Sequence, residues 1–85
     1  MPARYLIVDK RLRRQLLKIP LPIHGRIIKA LNSIKANPVS GIKLHGELQQ
    51  YYKFRVGDYR IVYRFSSKES LVQVVKIEHR QGVYK

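Results

Sequence analysis

Cysteine is absent from this 85-residue sequence, and acidic residues are scarce. Without cysteine, the chain can form neither a disulfide framework nor a thiolate metal site. Its five acids are scattered along the chain at Asp9, Glu47, Asp58, Glu69 and Glu78. A metal-dependent nuclease needs several carboxylates to hold its ions. The sequence therefore argues against metal catalysis, and we expect no metal or other cofactor.

Long apolar runs are also missing. The N-terminal stretch MPARYLIVDKRL returns to charged residues after a short apolar run, which predicts neither a signal peptide nor a membrane span. There is no internal repeat or low-complexity tract, and the 45% hydrophobic content is typical of a folded protein. The length suits one domain with one modest core. We therefore expect a single cytoplasmic domain, residues 1–85, without a membrane partner.

Positive charge is what the chain has in abundance. Eighteen Lys and Arg against five acids give a formal net charge of +13 at pH 7. Such an imbalance favours a polyanionic partner, namely nucleic acid, an acidic protein or an anionic membrane surface, over a merely basic surface. The basic residues continue through the predicted strands instead of lining one amphipathic segment, which disfavours the membrane.

The spacing of apolar residues predicts a strand and two helices in the first half of the chain. Residues 3–8 form a short strand, and Asp9 is placed to cap a helix that runs to about Ile19. Prolines then break and restart the chain. The second helix runs to about Ala36, where an Asn-Pro pair ends it.

The period changes from helical to alternating after the second helix. A short strand is predicted at 42–44, and three strands of a meander at 50–56, 59–65 and 71–78. We summarise the predicted order as β-α-α-β-β-β. Two helices packed on one face of a small, mostly antiparallel sheet make an α+β domain, with the other face of the sheet open to solvent or a ligand.

The stretch YYKFRVGDYRIVYRF, residues 51–65, predicts a hairpin with a two-residue turn at Gly57-Asp58. This turn pairs Arg55 with Arg60, and alternation then assigns the two faces. The helix-covered face is predicted to hold Tyr52, Phe54, Val56, Tyr59, Ile61 and Tyr63. The open face is predicted to hold Lys53, Arg55, Arg60, Val62 and Arg64, and the next strand adds Lys76 and Arg80.

Like charges directly opposite each other on a sheet destabilise it by up to about 1 kcal/mol per pair. An ordinary solvated face would interleave acids, yet the only acid in the hairpin is Asp58, which belongs to the turn. We therefore interpret the open face as a phosphate site.

Such a patch permits RNA cleavage without metal. The ribose 2′-hydroxyl attacks its own phosphate in line, which requires a proton acceptor, cations over the transition state and a proton donor to the leaving oxygen. Arginines stay protonated, whereas a lysine crowded by like charges loses its proton more readily, so Lys53 is the candidate acceptor. Tyr84 either stacks on a base or supports a proton relay, or it simply ties down the tail.

Two segments give the chain a resemblance to a known family. FRVGDYRIVY (54–63) and HRQGVY (79–84) closely resemble the RelE/ParE superfamily of toxin–antitoxin toxins, and KLHG (43–46) agrees with it. The resemblance covers essentially the whole chain and implies a RelE-like fold. RelE-type members enter the ribosomal A site and cut mRNA there without metal. The partners implied are the ribosome, mRNA and a RelB-like antitoxin with an acidic segment, bound in a hetero-oligomer.

The resemblance also implies roles for individual residues. Lys53 and Arg55 would occupy the two basic strand positions of the family, and Arg60 would stabilise the phosphate. Arg80 would act on the leaving group or the transition-state charge, and Tyr84 would be the functional C-terminal tyrosine. Further RNA contacts are expected from Arg64, Lys76 and His79.

Arg55 departs from the RelE pattern, in which a lysine at this position is taken as the general base. Either Lys53 takes that role, or proton transfer runs through the ribosome, the substrate or water. Two other functions stay open on the sequence. One is a ParE-type inhibitor of DNA gyrase, which would not need a tyrosine beside a cationic phosphate cradle; the other is an RNA- or ribosome-binding module without catalysis.

Overall fold

The structure, a computed structural model, describes residues 2–44 and 50–79. Their elements follow in the order β1 (Tyr5–Val8), α1 (Lys10–Leu17), α2 (Leu21–Ala36), β2 (Ile42–Lys43), β3 (Tyr51–Val56), β4 (Tyr59–Ser66) and β5 (Leu71–His79). Every predicted element is present close to its predicted bounds. The short strand β2 joins the sheet, so the order is β-α-α-β-β-β-β. This is one strand longer than the predicted order β-α-α-β-β-β.

The sheet has five strands in the order β1-β5-β4-β3-β2. β1 runs parallel to β5, and the other three neighbouring pairs are antiparallel. This is the mostly antiparallel sheet that the sequence predicts. The parallel pair arises because the two helices carry the chain from β1 across the sheet before the meander begins, as a crossover connection requires.

The helices cover one face of the sheet. The Asp9 carboxylate caps α1 by accepting a hydrogen bond of 2.8 Å from the Leu12 N–H, as expected for an N-cap acid. Gln15, also on α1, donates to the Ile77 carbonyl of β5 at 2.6 Å. Within the described part of the chain, neither helix is long and apolar enough to cross a membrane.

A single core lies between the helices and the sheet, and it confirms the predicted faces of the hairpin. Ile27 and Ile34 of α2 are fully buried, as are Ile61 and Tyr63 of β4. Apolar burial of this kind is the main favourable term in folding. The buried residues that make up this core are Ala3, Leu12, Leu16, Ile19, Ile27, Ala30, Leu31, Ile34, Tyr52, Val56, Ile61, Tyr63, Val72, Val74 and Ile77.

A β-bulge in β5 changes the alternation of its side chains. Val62 of β4 pairs with Lys76, but the next residue, Tyr63, pairs with Val74, so Val75 is the extra residue. Val74 and Ile77 are both buried, whereas Lys76 is exposed. Strict alternation from Val74 would turn Lys76 toward the helices. The bulge therefore brings Lys76 to the open face, where it was predicted.

The Tyr63 hydroxyl ties the segment after α2 to the centre of the sheet. It donates to the Pro38 carbonyl at 2.7 Å and accepts from the Gly41 N–H at 3.1 Å. A Cβ on Gly41 would lie 2.8 Å from this hydroxyl and 2.7 Å from the Lys53 carbonyl, so the close approach requires glycine. Burial raises the pKa of Tyr63, because it disfavours the phenolate. The ring also stacks on Tyr52, with centroids 5.3 Å apart.

Tyr63→Phe is expected to lower the free energy of unfolding by about 1–3 kcal/mol, because it leaves a buried carbonyl and N–H without their partner. Since the folded-state pKa of Tyr63 is raised, its contribution is complete below the ordinary tyrosine value and is lost as pH rises through the folded value. Urea unfolding at neutral pH and above about pH 10 measures both effects. Equal stability of the two proteins would contradict the anchoring role.

Candidate functional site

A cavity of about 460 Å³ opens on the face of the sheet away from the helices. We call this face the open face; its residues on β3, β4 and β5 are Tyr51, Lys53, Arg55, Arg60, Val62, Arg64, Gln73, Lys76 and Glu78. The cavity is lined by Leu44, Tyr51, Lys53, Arg60, Val62, Val75, Lys76 and Glu78. Three of the predicted site residues, Lys53, Arg60 and Lys76, therefore meet around one space.

The strand registers place the two lysines on opposite sides of an apolar floor. Val62 of β4 pairs with Lys53 of β3 on one side and with Lys76 of β5 on the other. Neighbouring strands lie about 4.8 Å apart, so the two lysine backbones are separated by about 10 Å. Two long cationic side chains at this spacing can reach a common anion above Val62.

Arg60 enters the cavity with a carboxylate beside it. Its Nη2 donates to Glu78 Oε1 at 3.1 Å, and Lys76 Nζ lies 3.9 Å from Glu78 Oε2. The Arg60 and Glu78 side chains are 44% and 25% exposed, so solvent and ligands can reach both. In the described ranges, Glu78 is the one carboxylate in an ion pair with a basic side chain.

Sequence reasoning missed Glu78 as part of this cluster. Alternation from Lys76 would have placed it on the open face, whereas its pairing with Arg60 depends on the bulge at Val75. Tyr51 was missed as well, although alternation from Lys53 would have placed it on the open face. It adds an aromatic wall to the cavity.

Arg55 and Arg64 are on the open face but do not line the cavity. Arg55 pairs with Arg60 in the predicted like-charge register, and its Nε donates to the Gly57 carbonyl at 3.0 Å. Arg64 donates to Gln73 Oε1 from Nε at 3.4 Å and from Nη2 at 3.0 Å. Both arginines are thus held by neutral acceptors, which leaves their charge uncompensated.

His79, a further predicted RNA contact, does not line the cavity. His79 pairs with Tyr59, and their rings meet edge to face with centroids 4.6 Å apart. Tyr59 packs against the core, so His79 lies on the helix-covered side of the sheet. Arg80 and Tyr84 lie outside the described residues, and their roles stay predictions.

The residues that line the cavity can bind an anion and transfer protons, but they are not arranged as metal ligands. Among residues 2–44 and 50–79, no group of three or more His, Asp or Glu side chains is arranged to hold a metal ion. Cations directed into a partly enclosed space stabilise negative charge on a bound group. The arrangement therefore suits a phosphate between Lys53, Lys76 and Arg60.

Comparisons with known proteins point to one family. The model of the ParE toxin of type II toxin–antitoxin systems, parDE, matches residues 6–84. Toxin RelG from Mycobacterium tuberculosis is 29% identical over 75 residues, which cover 86% of each chain. A chain of the RelBE2 toxin–antitoxin complex from the same organism is 26% identical, with a TM-score of 0.80 over 94% of this chain and all of that one. The isolated RelE toxin from Escherichia coli shares the fold, at 24% identity and a TM-score of 0.75 over 94% of this chain and 89% of that one.

Lys53→Met is expected to weaken binding of a single-stranded 2′-deoxy oligonucleotide, which cannot be cleaved through a 2′-hydroxyl. If Lys53 contacts one phosphate, the slope of log affinity against log salt falls by about 0.7. Lys68→Met removes the same charge from the exposed turn between β4 and β5 and serves as the matched control. Fluorescence anisotropy at several salt concentrations measures both variants. Equal slopes in the two would argue that total charge, and not the cavity, binds the strand.

Proposed function

Since the chain belongs to the ParE toxin family of type II toxin–antitoxin systems, within the RelE/ParE superfamily, we propose that it is a metal-independent endoribonuclease. On this proposal it enters the ribosomal A site, cleaves the mRNA there and so stops translation. The toxin assignment follows from the family. The reaction is supported by the chemistry of the open face.

The observation that carries the proposal is the convergence of Lys53, Arg60 and Lys76 on one cavity. Three cations from three neighbouring strands surround a floor formed by Val62. Cations placed around a phosphate stabilise the charge that develops on its oxygens in the transition state, and they need no reorganisation at that moment. A surface that served only for solubility would not direct its cations into a shared space.

In the proposed reaction, the ribose 2′-oxygen attacks the adjacent phosphorus while the bond to the 5′-oxygen of the next nucleotide breaks. The products are a 2′,3′-cyclic phosphate and a free 5′-hydroxyl. Arg60 holds the phosphoryl oxygens, and Lys53 and Lys76 neutralise the added charge. The resemblance assigns Arg80 to the leaving group or transition-state charge and Tyr84 to a contact with the RNA, and both assignments belong to the proposal.

Arg55 contributes charge and not proton transfer in this scheme. Its guanidinium stays protonated, and its Nε is engaged by the Gly57 carbonyl at the hairpin turn. Lys53 lines the cavity, but its cross-strand partners are Ile42 and Val62. In this proposal Lys53 therefore acts as a cation over the phosphate and not as the base.

Besides the ribosome and mRNA, we propose that the chain binds an antitoxin with an acidic segment. Solved structures with this fold include the RelB–RelE complexes of Pyrococcus horikoshii and Methanococcus jannaschii. The net charge of +13 supports an acidic partner here. Apolar side chains are also available to it at the junction of the two helices, where Leu17 and Leu21 are 78% and 80% exposed.

Inhibition of DNA gyrase is the second candidate function, because the matching family model is that of the ParE toxin. A gyrase inhibitor acts by binding and does not need a phosphate cavity with a proton acceptor. A supercoiling assay with purified toxin therefore separates the two candidates. Inhibition of supercoiling without mRNA cleavage would favour the gyrase reading.

Arg60→Ala is expected to slow cleavage strongly and to leave the fold intact, because Arg60 lies on the open face and not in the core. Loss of one such stabilising contact reduces the rate by roughly 10²–10³-fold. Primer extension on mRNA in a cell-free translation reaction, with a ribosome-free sample alongside, measures the cuts. Arg13→Ala, which removes an exposed arginine on α1, is the matched control and should cleave normally.

Cuts that appear only with ribosomes would support the proposed reaction. An Arg60→Ala variant that cleaves as well as the wild type would exclude the assigned phosphate site. Binding to ribosomes or RNA without any cuts would indicate a non-catalytic binding module instead.

The toxin–antitoxin complex is expected to weaken as salt rises, if an acidic segment neutralises the open face. Screening shortens the reach of charge from about 10 Å at 0.1 M salt to about 3 Å at 1 M. Isothermal titration of the purified antitoxin into the toxin at several salt concentrations measures the change. An affinity that is indifferent to salt would show that apolar contacts, including those at Leu17 and Leu21, hold the complex.

A further inference from the structure

We propose that Glu78 is the general base that accepts the proton of the ribose 2′-hydroxyl. This inference rests on the proposed endoribonuclease function. It assigns the role of general base, which Arg55 cannot fill because its guanidinium stays protonated. Glu78 lies on β5, inside the cavity that Lys53, Arg60 and Lys76 also line.

The two oxygens of the Glu78 carboxylate are held differently. Oε1 accepts the 3.1 Å hydrogen bond from Arg60. Oε2 lies 3.9 Å from Lys76 Nζ, which is attractive at that range but too long for a hydrogen bond. Oε2 therefore retains capacity for another donor, and a 25% exposed side chain can be reached by one. One oxygen positions the carboxylate while the other is available to a hydroxyl.

Its charge makes the Glu78 carboxylate a better proton acceptor than the neighbouring lysines. A carboxylate is acceptor-only when ionised, whereas a lysine accepts nothing until it loses a proton. Arg60 and Lys76 lie on either oxygen of this carboxylate. Once Glu78 takes a proton, its negative charge is gone, and the same two cations are free to stabilise the negative charge on the phosphoryl oxygens.

The step balances without any further reactant. The proton of the 2′-hydroxyl passes to Glu78 Oε2 as the 2′-oxygen forms its bond to phosphorus. The bond from phosphorus to the 5′-oxygen breaks, and that oxygen takes a proton from the Lys53 ammonium. Glu78 is left neutral and acidic, and Lys53 is left as the amine. Solvent then returns both groups to their starting forms.

The test is Glu78→Gln, whose amide oxygen can still accept from Arg60 but cannot take a proton. Removal of a general base is expected to slow single-turnover cleavage on the ribosome by roughly 10²–10⁴-fold. Binding of a 2′-deoxy oligonucleotide should not weaken, since a negative charge has been removed. Glu69→Gln makes the same charge change in the turn between β4 and β5 and should cleave at the wild-type rate.

A pH profile separates proton transfer from positioning. The wild-type rate should fall at acidic pH as the base becomes protonated, and the Glu78→Gln rate should lack that limb. The other charged or titratable groups facing Glu78 in the cavity are Tyr51, Lys53, Arg60 and Lys76, and all of them remain in the variant. A limb that persists in Glu78→Gln would overturn the assignment.

Glu78→Asp keeps a carboxylate and should cleave faster than Glu78→Gln, which guards against a merely structural effect of either change. Equal rates in the two, or a Glu78→Gln variant as fast as the wild type, would show that Glu78 only occupies Arg60 until phosphate arrives. Absence of cleavage by the wild type overturns the endoribonuclease proposal itself. That outcome is distinct from active wild type with an unaffected Glu78 variant, which overturns only the role of Glu78.

Discussion

The register of the β3–β4 hairpin is the constraint on which both the core and the cavity depend. Gly57, in the turn, has a φ of +58°, a conformation that favours glycine. The two-residue turn pairs Val56 with Tyr59, and every later pair follows. Because side chains alternate between faces, a slip of one residue in one strand would bury its cations and expose its core residues. The same turn therefore determines what packs on the helices and what faces the ligand.

The pairing of β3 with β4 could be predicted from the sequence because it depends on residues close together in the chain. A Gly-Asp turn between two alternating runs specifies its own pairing, so Arg55 opposite Arg60 and Phe54 opposite Ile61 are confirmed. The Asp9 cap of α1 is confirmed for the same reason, since it depends only on residues within one turn of helix. Fold class and the helix-covered face follow from such local patterns.

The strand β5 and the open-face position of Lys76 were predicted, but the pairing of β5 with β4 could not be, because it depends on contacts between distant parts of the chain. The β4–β5 connection is longer than a two-residue turn and leaves the register undetermined, and the bulge at Val75 then changes the alternation. The ion pair between Glu78 and Arg60 therefore could not be read from the sequence. The directions of the arginine side chains could not be predicted either. Arg55 donates a hydrogen bond to the Gly57 carbonyl, and Arg64 donates one to Gln73. The cavity therefore includes only part of the basic patch that the sequence predicted.

The balance of charge on the open face connects stability with the proposed function. Arg55 opposite Arg60 costs up to about 1 kcal/mol, and Glu78 offsets part of it from the other side of Arg60. Full neutralisation by more acids would stabilise the fold but would occupy the groups that a phosphate needs. The uncompensated cations can instead bind an anionic partner. Without that partner, the core, which includes Tyr63 and its two hydrogen bonds, stabilises the sheet against the repulsion. An acidic antitoxin and mRNA would both relieve the same repulsion, so on this view inhibition requires competition for these cations and no change in the fold.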